Sequence, residues 1–358
     1  MIVPHRVGAA PPGLSARTIA AVRLLFLGGT GVISPACVDL AVARGHDVWV
    51  LNRGLTVGPG LAEGVRRLTA DVTDPAAVRA ATAGLSFDAV VQWVGFTPDQ
   101  IERDIALFGE AGQYVFISSA TVYHKPPPHY LVSEATGLGN PYWSYAQNKI
   151  ACEERLRSAY ADTGFPVTIV RPSLTYGLTQ IPLGVGSWSR PFTIVDRMRR
   201  GAPIIVPGDG TSLWTVTHNS DFAVGLLGLL GNERAIGEAV HITSDEVLTW
   251  NDIYAAVGAA AGVEPNVLHV PTEALVAADP ELAGSQYGDK AHSVVFDNAK
   301  IRSLVPGFTA TVPFRRGIRD TVAWFDADPS RQSIDEDANA LWDRVASVYT
   351  EALRRVAR

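Results

Sequence analysis

The stretch "RLLFLGGTGVIS", Arg23 to Ser34, decides the fold, because an unbroken apolar run meets a glycine turn that opens a helical pattern. The run Leu24–Leu27 fits a strand buried on both faces, as in a parallel sheet. Gly28 and Gly31 then fall where strand becomes helix. There the backbone has to approach a pyrophosphate closely, and amide N–H groups meet its charge at the helix N-terminus. The spacing G-x-x-G-x-x-S puts Ser34 where a dinucleotide-binding turn prefers Gly or Ala, so Ser34 is also a candidate helix cap. A glycine turn alone is weak evidence, but after the first strand of a βαβ unit it reads as a dinucleotide site. The expected cofactor contacts in this turn are Gly28, Thr30, Gly31, Val32 and Ile33.

Outward from the turn, short apolar runs alternate with helical patterns, the signature of βαβ units. Strands are expected at Arg23–Leu27, Asp47–Asn52, Val65–Thr69, Phe87–Val94, Gln113–Ser118 and Val167–Arg171, and helices at Ser34–Arg44, Pro98–Gly112 and Tyr145–Thr163. After Gly177 the rhythm breaks into "YGLTQIPLGVGSWSRPF", where a second lobe begins. A late strand, Ala239–Thr243, is placed to return to the first sheet, while Trp250–Ala261 and Asp297–Leu304 read as helical. The expected fold class is α/β: a doubly wound parallel Rossmann-type sheet with a smaller, discontinuous α+β substrate lobe. The expected division is an N-terminal extension (1–21), a dinucleotide-binding domain (22–178 and 216–247), a substrate lobe (179–215 and 248–326) and a C-terminal helix (327–358). Ile334, Leu341, Trp342, Val345, Val348, Tyr349, Leu353 and Val356 keep helical spacing, so that last helix packs on its own lobe or joins two copies in a homodimer.

Length and composition agree with one large globular α/β protein: 358 residues, 47% hydrophobic, 18% charged. Acidic residues outnumber basic ones 36 to 30, so no nucleic-acid partner is expected. Cys37 and Cys152 form no C-x-x-C pair and read as buried apolar residues. No ligand-spaced histidines stand out; His218 and His241 read as structural imidazoles, and no metal is expected. The first 20 residues lack the apolar core of a secretory signal, and Ala223–Leu230 is too short to span a bilayer. The expectation is a cytoplasmic protein with a small-molecule substrate and no membrane partner.

The second strand ends at Asn52-Arg53, where a carboxylate would ordinarily bind the adenosine ribose of NAD. A guanidinium there pairs with a 2′-phosphate, so NADP is favoured and NAD follows closely. The alternative is a solvated surface arginine. Asp71, followed by Val72 after the third strand, is placed to accept from the adenine amino group. Tyr145 and Lys149 form the chain's Y-x-x-x-K pair, which a helix sets on one face. A phenol with an ordinary pKa of about 10 needs a nearby cation to act near pH 7, and Lys149 is positioned to supply it. Ser119 follows the fifth strand, at the sheet edge where open α/β folds bind ligands.

With "GGTGVIS", "SSATVY", "YAQNK", "RPSLTYG", "GDGTSLWTVTHNSDFA" and "GDKAHSVVFDNAKI" in this order, the chain resembles an extended short-chain dehydrogenase/reductase of the NAD-dependent epimerase/dehydratase family, over roughly Val22–Trp324. The resemblance implies that Ser119, Tyr145 and Lys149 are the catalytic set, Thr121 a secondary substrate contact, Pro172 a wall beside the nicotinamide, and Pro126–Pro128 a border of the substrate cleft. It also exposes departures. Positions where sugar-nucleotide enzymes of the family carry an Asn and two diphosphate-clamping arginines hold Leu174, Trp214 and Gln286, so these line a site for a substrate with less phosphate unless Arg190 or Arg197 restores the clamp. Ala120 and Thr121 stand where dehydratases carry an acidic pair. The implied activity is NAD(P)-dependent reduction or epimerisation at a secondary hydroxyl of a sugar-like or nucleoside-like molecule. The glycine turn ending in Ser34 is also similar to that of the chloroplast stem-loop-binding relatives, which makes a non-catalytic nucleotide-sensing or RNA-binding role the alternative.

Overall fold

A computed structural model describes residues 21–55 and 60–357; residues 1–20 of the expected extension lie outside the described residues. Seven parallel strands make the central sheet: β1 (Arg23–Leu27), β2 (Asp47–Asn52), β3 (Arg66–Thr69), β4 (Ala89–Gln92), β5 (Gln113–Ile117), β6 (Val167–Pro172) and β7 (Ala239–Ile242). Their spatial order is β3-β2-β1-β4-β5-β6-β7. The order reverses at β1, with Leu27 paired to Leu51 on one side and to Gln92 on the other, so a crevice opens at the carboxyl ends of β1 and β4.

Period-two alternation explains the two covered faces. Leu24 and Phe26 pack with Cys37, Val38 and Ala41 of α1 (Ser34–Ala43) and with Phe222 and Leu226 of helix Asn219–Leu229. Leu25 and Leu27 pack with residues of the opposite layer, where α2 (Pro75–Thr82), α3 (Pro98–Phe108) and α4 (Ser144–Thr163) contribute Val78, Ile101, Cys152 and Leu156. Both cysteines are buried and unbridged.

The late strand β7 joins the sheet edge in parallel beside β6. The expected Phe87–Val94 strand shortens to β4: Trp93 N–H still donates to Leu27 O at 3.1 Å, but Val94 N–H turns to the Gln92 side chain at 2.8 Å. The rest of the chain builds a second core on two-residue to four-residue ladders drawn from separate segments, Ile204–Pro207 with Val267–Val270 and Leu213–Trp214 with Leu248–Thr249. The closing helix, Glu336–Val356, buries Trp342 and Val345 in that core and leaves Val348, Leu353 and Val356 exposed. Among the described residues no helix is long and apolar enough to cross a membrane, and no group of three or more His, Cys, Asp or Glu is placed to hold a metal.

Candidate active site

A cavity of about 900 Å³ lies over the crevice, between the glycine turn on one side and the second lobe on the other. The turn itself is tighter than the sequence implies. Gly28 and Gly29, at φ 105° and 98°, carry the left-handed backbone that exits β1. A Cβ on Gly28 would stand 3.2 Å from Trp93 Cβ, and one on Gly29 3.1 Å from Val50 Cγ1. Gly31, expected to share that duty, has ordinary backbone, and a Cβ there would meet nothing nearer than Ser34 Oγ at 3.8 Å. Ser34 does not cap α1 either. It lies inside the helix's first turn, and its hydroxyl accepts Gly31 N–H at 3.1 Å, fastening the loop instead. The N-cap residue, Ile33, supplies no side-chain cap, so the start of α1 faces the cavity through Val32, Ile33 and Ser34 with its amides undressed.

Across the cavity, β5 delivers Ser119 and α4 delivers Tyr145 and Lys149, and all three line the wall together with Thr30, Thr121 and Pro172. Lys149 is buried. Its Nζ donates to Ile117 O and Gly95 O, each at 2.7 Å, so one ammonium ties α4 to the carboxyl ends of β5 and β4. Burial brings that ammonium down to about 8. Thr121, expected as a substrate contact, gives its hydroxyl proton to Ser119 Oγ at 2.9 Å and its amide proton to the same oxygen at 3.2 Å. It therefore orients Ser119. The Ser119 hydroxyl keeps its own proton to donate into the cavity.

Tyr145 departs from expectation. Burial pushes its phenol above the ordinary value, the Ser119 hydroxyl pulls the other way, and the Asp289 carboxylate adds to the upward push. Lys149 Nζ lies 5.9 Å from the ring centroid, with protons given to two carbonyls. The phenol is accordingly a neutral proton donor in this arrangement.

A buried ion pair backs the catalytic helix. Glu153, one turn beyond Lys149, takes Arg171 Nε at 2.9 Å and Nη2 at 2.6 Å and the Ser118 hydroxyl at 2.6 Å. Both partners are at most 1% exposed. His241 sits behind them between Tyr123 OH (3.0 Å) and Asp297 O (2.8 Å), and His218 caps helix Asn219–Leu229 through Ser220, so both imidazoles are structural.

The residues expected at the adenosine end lie outside this cavity wall, at the carboxyl ends of β2 and β3. Arg53 is exposed, Asn52 Oδ1 closes the turn onto Gly54 N–H at 2.9 Å, and Asp71 beside Val72 accepts from Thr73 N–H and Oγ1. Those bonds to Thr73, and then Arg53 and Arg103, hold the Asp71 carboxyl below its usual range.

The three substrate positions separate. Leu174 lines the cavity. Trp214 lines it too, but Trp250 stacks on it at 5.1 Å, so one ring face is already used. Gln286 lies behind the wall, 1% exposed, with Nε2 donating to Gly184 O at 2.8 Å. Neither Arg190 nor Arg197 reaches the cavity. Arg190 donates to Ile334 O, and Arg197 is buried against Asn339 and Asp343, so both pin the closing helix. The prolines of the Ser119–Tyr145 loop also stay outside the wall, whereas Lys125 just before them enters it, joined by Asp289 and Lys290. Lys125, Asp289 and Lys290 carry no motif that marks them in the sequence, and only closure of the fold brings them to one wall.

Residues 24–243 match the model of the NAD dependent epimerase/dehydratase family. The chain belongs to that family. Among its relatives, a 2'-dehydrokanamycin reductase of Streptomyces kanamyceticus is 32% identical over 257 residues, 70% of each chain. A chloroplast stem-loop binding protein of 41 kDa from Arabidopsis thaliana is 28% identical over 262 residues, 69% of this chain and 65% of its own. The fold matches that of an epimerase from Methanothermobacter thermautotrophicus with a TM-score of 0.72 at 16% identity, covering 87% of this chain and 94% of the other. UDP-glucose 4-epimerase of Thermus thermophilus, solved with NAD, matches with a TM-score of 0.65 at 22% identity, over 85% and 99%. The family's NAD cofactor fits the residues present: the start of α1 offers amides with no side-chain cap, and Gly31 leaves the adjoining wall clear of any Cβ.

Proposed function

We propose that this protein catalyses NAD(P)-dependent oxidation or reduction at a secondary hydroxyl of a sugar-like or nucleoside-like small molecule. The observation that carries this reading is the convergence of Ser119, Tyr145 and Lys149 on the cavity that the glycine turn opens into. The chemistry such a cofactor supplies is hydride transfer. Gly28–Ser34 would hold its pyrophosphate and Pro172 would border its nicotinamide, while Ser119 would donate to the substrate oxygen and Tyr145 would give or take the hydroxyl proton at its Oη. The likeness to a reductase supports ketone reduction over epimerisation.

NADP is the cofactor this reading favours. Arg53 stands exposed where a ribose-binding carboxylate is absent, available to pair with a 2′-phosphate. Arg53→Ala is expected to weaken NADP about 10-fold or more, one charge-assisted contact, with little change for NAD. Calorimetric titration of both cofactors checks it, and tighter NAD than NADP in the unaltered protein would remove the assignment.

The substrate carries less phosphate than a nucleotide sugar. Leu174 stands in the wall, and the two arginines expected to restore the clamp are spent elsewhere, Arg190 on Ile334 O before the closing helix and Arg197 on Asp343 within it. A relative whose name specifies an aminoglycoside ketone rather than a nucleotide sugar supports this. UDP-, dTDP- and GDP-sugars are expected to bind cofactor-loaded protein more weakly than ~10 μM, about 6.8 kcal/mol; tighter binding of any of them contradicts the reading. RNA is the rival that the second relative brings. The acidic balance opposes it, and a salt-dependent mobility shift at micromolar protein would restore it.

A further inference from the structure

The chain has 26 arginines and four lysines, yet among the described residues no arginine lines the cavity and three lysines do. Lys149 is accounted for by its two carbonyls. Lys125 and Lys290 are not. They flank Asp289, the one acid of the cavity wall among the described residues. Lys290 Nζ is 3.1 Å from Asp289 Oδ2, whereas Lys125 Nζ approaches Oδ1 only to 3.8 Å, beyond hydrogen-bond length, with its side chain 2% exposed. One carboxylate thus serves two ammonium groups, and the buried one has donors left over. Lys290 also lies 6.0 Å over the Trp214 ring, whose far face is closed by Trp250.

Burying an ammonium without a full partner is costly, and the wall offers no second acid to repay it. An anionic occupant of the cavity would complete the pairing. Within the Lys125–Asp289–Lys290 group the surplus of one positive charge calls for one negative charge on the hydroxylated molecule that the oxidoreductase reading puts in the cavity. It repels a polycation such as an aminoglycoside. Resting on the oxidoreductase reading above, we infer that the substrate is a hydroxylated ring compound carrying a single carboxylate, which Lys125 and Lys290 grip while Asp289 holds the two ammonium groups in place.

The test uses NADPH-loaded full-length protein and four probes built on one ring: glucuronate, glucose, glucosamine and glucose 6-phosphate, titrated to 100 mM with tryptophan fluorescence as readout. Glucuronate is expected to bind at least 10-fold more tightly than glucose, with glucosamine weakest, the difference that one charge-assisted bond makes. Lys290→Gln, a partly exposed position, and Lys125→Met are each expected to erase most of that preference while NADPH affinity and melting temperature hold. Equal affinities, a preference for glucosamine, or no glucuronate binding by 100 mM overturns the inference. Glucose 6-phosphate binding more than 10-fold tighter than glucuronate overturns the carboxylate and points to a phosphate monoester. Failure of the unaltered protein to bind either NADPH or NADH refutes the oxidoreductase reading instead, and the two failures are told apart by titrating the cofactors before the probes.

Discussion

Tyr145→Phe should lower turnover about 10²-fold or more, the usual contribution of a positioned general acid or base. The substitution removes one hydroxyl and keeps the ring, which packs against Trp143 at 5.1 Å. Neither the Lys149 contacts to Ile117 and Gly95 nor the Thr121 contacts to Ser119 involve that hydroxyl, so the rest of the set stays assembled. Cofactor affinity is therefore expected to hold within about twofold while kcat falls, and Ser119→Ala should give a smaller loss because it removes one donor to the substrate oxygen. Single-turnover kinetics with the physiological or a surrogate carbonyl substrate separate the two. Retention of half the turnover in Tyr145→Phe would show that the proton comes from elsewhere.

Glu153→Ala should destabilise the fold by about 3–5 kcal/mol, since it strands a guanidinium in the interior. Arg171 is 1% exposed and gives both Nε and Nη2 to Glu153, and among the described residues no other carboxylate is within ion-pair distance of it. Ser118 loses its acceptor as well. Replacing both ends, Glu153→Met with Arg171→Met, should recover most of the loss, because an apolar pair of similar volume has no uncompensated charge. Urea unfolding gives both numbers. A cost below about 1 kcal/mol for Glu153→Ala would mean that water entering the space left by the carboxylate solvates the Arg171 guanidinium.

The fold was legible because its strongest signals are local. Leu24–Leu27, followed at once by glycine and a helical pattern, could be read as a buried parallel strand and its turn without any knowledge of the neighbours. Y-x-x-x-K needed only the helix to bring Tyr145 and Lys149 onto one face, and both line the cavity. What stayed hidden depends on three-dimensional closure. Gly29 rather than Gly31 carries the left-handed backbone, and the Val50 side chain of β2, 3.1 Å from where a Cβ would stand, crowds it in a way only the assembled sheet reveals. The Tyr145 phenol moves up instead of down because burial in the closed fold desolvates it and Asp289, from the far half of the chain, adds its negative charge. Gln286 is drawn behind the wall by Gly184, 102 residues away in sequence. Lys125 and Asp289 meet from opposite halves of the chain.

The central claim is that the cavity beneath the glycine turn holds a nicotinamide dinucleotide beside Ser119, Tyr145 and Lys149. Trp93 lines that cavity next to Gly28, so its fluorescence should be quenched with energy transfer as NADPH or NADH is titrated into the purified protein. The expected result is saturable binding at about 10 μM or tighter, about 6.8 kcal/mol, lost in a Gly28→Val variant whose melting temperature is measured alongside. No binding of either cofactor up to 1 mM, near 4.1 kcal/mol, by a folded protein would contradict it.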